Sequence, residues 1–297
     1  MADASSPVFY TPPLLGPDEP PPFTILNPDG RAKALLVCDH AATAVPAKLG
    51  RLGLEEEDYA RHYAVDIGVR SVTEQLSALI DAPAIVANYS RLVVDLNRDL
   101  EHPTAFAQSG EGKPVPGNIA MTEEDRQCRI DEIYNPYHAA LAGLIDAFFE
   151  RDTIPLILSI HSFTPVFFRQ KRPWEVGVMW AQDKRMAGAM IEFFRGKGFT
   201  VGDNEPYDGR FLQGTTMNRH ADARRLPNVL IEIRNDMIGT AQGCAQWANY
   251  LKEFMNQILA DDSRRTLYDG PVLAYDPELS RTYFENLNKK AQQADDT

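Results

Sequence analysis

Cysteine is scarce in this 297-residue chain. Cys38, Cys128 and Cys244 lie far apart, form no C-x-x-C pair and leave one thiol over under any disulfide scheme. That usage argues against a disulfide framework and a thiolate metal cluster, and fits a reducing compartment. Positive charge is also in short supply. Thirty Lys and Arg stand against 42 Asp and Glu, a formal net charge of -12, whereas surfaces for nucleic acid or anionic membrane reward clustered cations. No apolar run approaches the roughly 20 residues of a membrane span. The start, MADASSPVFYTPPLL, has no basic segment followed by an apolar one. The expectation is a cytoplasmic protein with neither nucleic-acid nor membrane partners, and its oligomeric state has no signature in the sequence. Histidine is sparse as well, with six in all, so the position of each carries information.

What the chain does have is apolar residues, 44% of the total, enough for one large core without covalent staples. Seven prolines crowd residues 1–23, which blocks regular structure there and predicts an extended arm. Short apolar runs bounded by turn residues predict buried strands at Ala34–Cys38, Ala84–Asn88, Leu92–Leu96, Ile154–Ile160, Val176–Trp180, Phe199–Gly202 and Asn228–Ile233. An apolar stripe at three- and four-residue spacing predicts a helix from Glu123 to Phe149, with others near 56–80, 184–197 and 240–260. Alternation of this kind predicts an α/β fold, a three-layer α/β/α sandwich around a mixed, mostly parallel sheet, with its site beyond the carboxyl ends of the strands. A single domain over 24–275 is expected, followed by a tail over 276–297. Residues 101–121 are rich in Gly and Pro and read as a lid loop.

Two histidines directly follow apolar runs: His40 in LLVCDHAATAVP and His161 in LILSIHSFTP. Neutral imidazole is the commonest zinc ligand in proteins, and two such placements on one sheet edge can converge on one ion. A catalytic zinc site needs a third protein ligand. HYAVDIG offers His62 and Asp66, which share a face if the segment is helical. Asp66 is taken as the ligand, with His62 or Asp39 as the alternatives. SRLVVDLNRD sets Arg91 before an apolar run and Asn97 and Arg98 after it, a pattern suited to gripping a carboxylate in an otherwise acidic chain. NVLIEIRND buries Glu232 in a strand, where a carboxylate is tolerated only if paired, coordinated or used as a base. His220, in TTMNRHADARR, is a candidate donor to a developing oxyanion, and Tyr207, in NEPYDG, a candidate substrate contact. His102 and His138 read as structural.

Taken in order, CDHAATAVP, HYAVDIG, SRLVVDLNR, PGN, YNPYHAAL, SIHSFTP, RPWEVG, NEPYDG and LIEIRND resemble the N-formylglutamate amidohydrolase family, from about Leu36 to Ile238. That family is similar in turn to zinc carboxypeptidases and aspartoacylases. The resemblance implies a carboxypeptidase-like sandwich holding one Zn2+, or another divalent metal, per chain. It also implies a substrate carboxylate held at Asp95-Leu96-Asn97-Arg98 and a catalytic glutamate at Glu232-Ile233-Arg234. The carboxypeptidase pattern His-x-x-Glu is absent, because Thr43 stands three residues after His40. The implied reaction is hydrolysis of N-formyl-L-glutamate to formate and L-glutamate, a step of histidine breakdown. Two alternatives remain open: an N-acyl-amino-acid hydrolase of aspartoacylase-like or other specificity, and an anion-binding protein without catalysis.

Overall fold

The computed structural model describes residues 13–274 and 276–293; residues 1–12 of the proline-rich arm and 294–297 of the tail lie outside the described residues. Seven strands form one sheet: β1 (Phe23–Leu26), β2 (Ala34–Cys38), β3 (Ala84–Ala87), β4 (Leu156–Phe163), β5 (Val176–Met179), β6 (Val201–Asp203) and β7 (Asn228–Arg234), in the spatial order β1-β3-β2-β4-β7-β5-β6. β3, β2, β4 and β7 run parallel, as do β5 and β6, while β1 on β3 and β5 on β7 are antiparallel. The sheet is therefore mixed and mostly parallel, as expected.

Alternation along the strands divides the apolar residues between two cores. Leu36, Cys38, Leu158, Ile160, Ile231 and Ile233 point to one face, against α1 (Val69–Ile80), α4 (Arg185–Gly196) and α5 (Ala241–Leu259). Leu35, Val37, Ile157 and Leu230 point to the other. There they meet a helix that begins as α2 (Glu123–Arg129), widens through a π turn at Ile130–Tyr134 and continues as α3 (Asn135–Phe149). His161 and Glu232 fall on this second face. It is covered by long connections as well as by helix, which leaves room for polar side chains.

Two expectations fail in an instructive way. Leu92–Leu96 is not a strand. Its residues are buried, but their carbonyls are taken by side chains: Asn118 Nδ2 donates to Leu92 O at 2.8 Å and Arg129 Nη1 to Val93 O at 3.2 Å. The run is an apolar loop tied down by polar residues of the next segment, and burial alone does not distinguish that from a strand. Nor is 56–80 one helix. A 3-10 turn at Glu56–Ala60 is followed by irregular chain before α1 starts at Val69. Gly68 makes the bend, with φ +82, and a Cβ there would lie 2.2 Å from Ile238 O. Asp66 thus sits on a turn, and helical spacing is not what places it.

Of the arm, Leu14 is buried, and the backbone N–H groups of Leu14 and Leu15 donate to Glu132. At the other terminus α6 (Pro277–Gln293) packs Tyr283 and Phe284 against the second core.

Asn118, from the PGN segment, is the knot of the loop carrying Arg91 to Arg98. Besides Leu92 O it donates to Ala107 O at 2.8 Å, and its Oδ1 accepts from Arg129 Nη1 at 2.5 Å. Asn118→Ala leaves these buried groups without partners and is expected to lower the unfolding free energy by about 3 kcal/mol, since each such group costs about 1–3 kcal/mol. Urea unfolding checks this; a loss below about 1 kcal/mol would show that the loop is held elsewhere.

Candidate active site

The parallel pairing of β4 with β7 sets Glu232 opposite His161, and the antiparallel pairing of β7 with β5 sets Gly177 on its other side. A Cβ at Gly177 would lie 2.4 Å from Glu205 O and 3.1 Å from Glu232 Cβ, so only glycine lets the loop after β6 close over the glutamate. His40 follows β2, and the Asp66 backbone N–H donates to His40 O at 3.0 Å, which brings the turn before α1 to the end of that strand.

At the centre the Asp66 carboxylate meets both imidazoles. Its Oδ2 lies 2.9 Å from His161 Nδ1 and 3.3 Å from His40 Nδ1. The outer nitrogens face two further carboxylates, His40 Nε2 to Asp95 Oδ1 at 2.7 Å and His161 Nε2 to Asp39 Oδ2 at 3.4 Å. Those carboxylates are held in turn: Arg91 donates to Asp95 Oδ2 through Nη2 at 2.7 Å and Nε at 3.1 Å, and Tyr137 OH donates to Asp39 Oδ1 at 2.5 Å. His62 Nδ1 approaches Asp66 Oδ1 at 3.5 Å from the far side.

Burial alone would push these acids up, but Asp39, Asp66 and Asp95 are all lowered, because the surrounding histidines, Arg91 and Tyr137 outweigh it. For His161 burial works against the charged form, yet the Asp39 and Asp66 carboxylates beside it raise it to about 10. Burial drives Glu232 the opposite way, up to about 7, and among the described residues its Oε2 has no hydrogen-bond partner.

His40, Asp66 and His161 offer ligand atoms that all lie within 4.8 Å of one another. Donors around a tetrahedral ion with bonds of about 2.0–2.1 Å lie roughly 3.4 Å apart. The 3.3 and 2.9 Å separations measured here are close to that. The donor set, two imidazoles and one carboxylate, suits a borderline divalent ion. Each imidazole also carries the outer carboxylate that fixes a ligating histidine's tautomer and ring orientation.

A cavity of about 540 Å³ opens beside this group. His40, Asp66, Arg91, Asn97, Arg98, His161, Tyr207 and Glu232 all line it. Eight of the nine residues given a first-choice ligand, substrate or catalytic role in the sequence therefore meet at one place, with His62 beside them.

The sequence profile of the N-formylglutamate amidohydrolase family matches residues 32–239. This chain belongs to that family. The N-formylglutamate deformylase of Pseudomonas putida is 27% identical over 175 residues, which are 52% of this chain and 63% of that protein, so the match spans just under two thirds of that relative. The crystal structure of gene product Atu2144 from Agrobacterium tumefaciens superposes with a TM-score of 0.80 at 33% identity, over 84% of this chain and 99% of that one. The N-formylglutamate amidohydrolase of Ralstonia eutropha JMP134 shares the fold, with a TM-score of 0.59 at 23% identity over 80% of this chain and 97% of that one.

In this member of the N-formylglutamate amidohydrolase family one expected residue lies elsewhere. His220 does not line the cavity; it is buried, with Nε2 2.9 Å from His138 Nδ1 and the two rings stacked at 5.1 Å. Its Nε2 is engaged with His138 and its side chain lies outside the cavity lining, so the structure lends the oxyanion role no support. Arg91 is engaged by Asp95 and Asp66, so it holds protein carboxylates. Tyr137 and Arg172 carry no role in the expectations from sequence, although both stand inside the quoted motifs, and Asp95, expected beside the substrate carboxylate, instead pairs with His40 and Arg91. Phe284 and Leu287 also line the cavity, and they come from α6, beyond the family match.

Burial pushes His138 down to about 3 and His220 down to about 4. An unfolded histidine titrates near 6.5, so between about pH 6.5 and 4 the unfolded chain binds protons that the folded pair refuses. Stability is then fully present above that window and falls as pH drops through it. Unfolding measured from pH 7.5 to 4.5 should show the decline, and His220→Phe should flatten it while leaving turnover unchanged; an equally steep decline in the variant would exclude the pair as its source.

Proposed function

We propose that this protein is a metal-dependent amidohydrolase that cleaves the N-acyl amide of a small acidic amino acid, with N-formyl-L-glutamate giving formate and L-glutamate as the leading reaction. The observation that carries this reading is a buried carboxylate, Glu232, with a raised pKa and a partnerless oxygen. It sits in strand register with one histidine of a His–Asp–His group and opens on the same cavity. Family membership and the name of the Pseudomonas putida relative support it. We read the layout as zinc-carboxypeptidase-like, the resident ion as one Zn2+ per chain, and the compartment as the cytoplasm.

His40 Nδ1, His161 Nδ1 and Asp66 are the residues that would hold the ion. Bound there, a divalent metal supplies Lewis acidity, polarising an acyl oxygen and lowering the pKa of water toward about 7. Asp95 and Asp39 keep the two imidazoles turned inward. Glu232 Oε2 takes the proton as water adds to the acyl carbon and returns it to the amine nitrogen as the C–N bond breaks, a transfer favoured by a carboxyl poised near neutrality. Arg98, with Asn97, takes a substrate carboxylate, which orients the acyl group toward Glu232. Nothing in this scheme asks Arg91 to touch substrate.

Two measurements test these assignments. Asp95→Asn is expected to weaken divalent-metal affinity by about 10–100-fold in chelator competition, because it removes an outer-sphere partner and no ligand. An unchanged affinity would place the ion elsewhere. Glu232→Gln is expected to keep metal content while kcat for release of L-glutamate from N-formyl-L-glutamate falls by about 100–10,000-fold. Wild-type turnover in that variant, or chelator-resistant release in the parent enzyme, would rule out the mechanism. Equal rates on N-acetyl-L-glutamate would widen the acyl specificity without touching it.

A further inference from the structure

Three arginines line the cavity, and they are not equivalent. Arg91 gives Nη2 and Nε to Asp95, and its Nη1 lies 3.5 Å from Asp66. Arg98 donates through Nη1 to Asn97 O at 2.7 Å and through Nε to Thr104 Oγ1 at 3.3 Å, and one face of its guanidinium lies 4.6 Å over the Phe284 ring. Arg172 is different. Among the described residues its side chain makes one hydrogen bond, Nη2 to Tyr207 OH at 3.1 Å, while Nη1 is buried without a partner. Its guanidinium is enclosed by aromatic rings, Phe167 at 4.5 Å, Tyr207 at 5.2 Å and Phe163 at 5.7 Å.

An N–H group left unpaired and out of water is costly. Here the unpaired group belongs to a permanent cation on the wall of a ligand cavity, where an anionic ligand would complete it. The aromatic enclosure strengthens that bond by excluding water and raises the cost of leaving it unmade. Glutamate-like substrates carry two carboxylates, and a single guanidinium cannot hold both.

We propose that Arg172 is the anchor for the second, side-chain carboxylate of the substrate, with Tyr207 as the residue that positions it, so that the site selects N-acyl derivatives of dicarboxylic amino acids over monocarboxylic ones. This rests on the amidohydrolase reading above and deepens it. The three arginines then have separate tasks: Arg91 holds Asp95, Arg98 takes the α-carboxylate, and Arg172 reads the side chain. Were Arg172 instead a donor to the acyl oxygen, its loss would fall on kcat and on every N-formyl substrate alike.

The test compares N-formyl-L-glutamate with N-formyl-L-norvaline, which keeps the α-carboxylate and the chain but lacks the terminal anion. Arg172→Met should lower kcat/KM for the glutamate derivative by about 10–150-fold, the range for hydrogen bonds to charged groups. The loss should appear mainly in KM, with the norvaline derivative changed less than about threefold. Arg172→Lys should recover part of the preference, and Tyr207→Phe, a milder change that keeps the fold, should lose part of it. An equal loss on both substrates, or none on either, overturns the proposal. Calorimetry with glutarate and butyrate separates this inference from the reading it rests on. Glutarate binding that weakens in Arg172→Met while butyrate binding does not, in a protein that hydrolyses no N-formyl amino acid, would sink the catalytic reading and leave the anchor standing. Parent protein that binds glutarate no better than butyrate would sink the anchor.

Discussion

The carboxylate of Asp66 lies between two imidazoles, and much of the molecule exists to keep it there. Burying one carboxylate is costly, and here three are buried within reach of each other. The arrangement holds because every negative group has a specific partner: Asp66 the two histidines, Asp95 Arg91 and His40, Asp39 Tyr137 and His161. Removing any one partner leaves a neighbour uncompensated in a low-dielectric site. The outer residues are therefore as constrained as those facing the cavity. The same ring of charge leaves Glu232 outside it, with burial but without a partner, and that asymmetry separates a base near neutrality from its strongly acidic neighbours.

Holding such a cluster requires backbone as well as side chains. Six segments from distant parts of the sequence bring groups of the site to one sheet edge, and four devices fix them. The β2 end and the Asp66 turn are joined by a backbone hydrogen bond. The Arg91–Arg98 loop is tied by Asn118 and Arg129. β4 and β7 are locked in register. Glycine at 177 lets the loop carrying Tyr207 lie against Glu232.

How much of this the sequence shows depends on what kind of signal each residue carries. His40 and His161 stand directly at the ends of buried runs, and Glu232 is a charge inside one; these are violations of a pattern, and such violations mark sites. Helical spacing points to Asp66 in the sequence, and the structure brings it between the two histidines without that helix. Leu92–Leu96 misled because an apolar loop capped by distant amides reads like a strand. His220 misled because a buried imidazole pair leaves no trace in spacing: its partner His138 lies 82 residues away. Arg172 was invisible for a similar reason. An arginine beside a proline-tryptophan turn looks like an ordinary surface residue until Phe163, Phe167 and Tyr207 are seen around it.

The wall contributed by α6 follows a different logic. Phe284 covers one face of Arg98 and packs edge-on against His102 at 4.8 Å, and the helix is moored by the Ser280 hydroxyl donating to Gln213 O and by the Asp208 N–H donating to the Tyr283 hydroxyl. The family profile ends at residue 239, so this wall lies outside the matched segment, from which the charged groups of the cavity all come. An aromatic ring on a guanidinium face leaves the planar edge as the direction in which its N–H groups can meet a carboxylate. The acids and imidazoles thus fix where charge sits in the cavity, and the C-terminal helix limits the direction from which a partner for Arg98 can arrive.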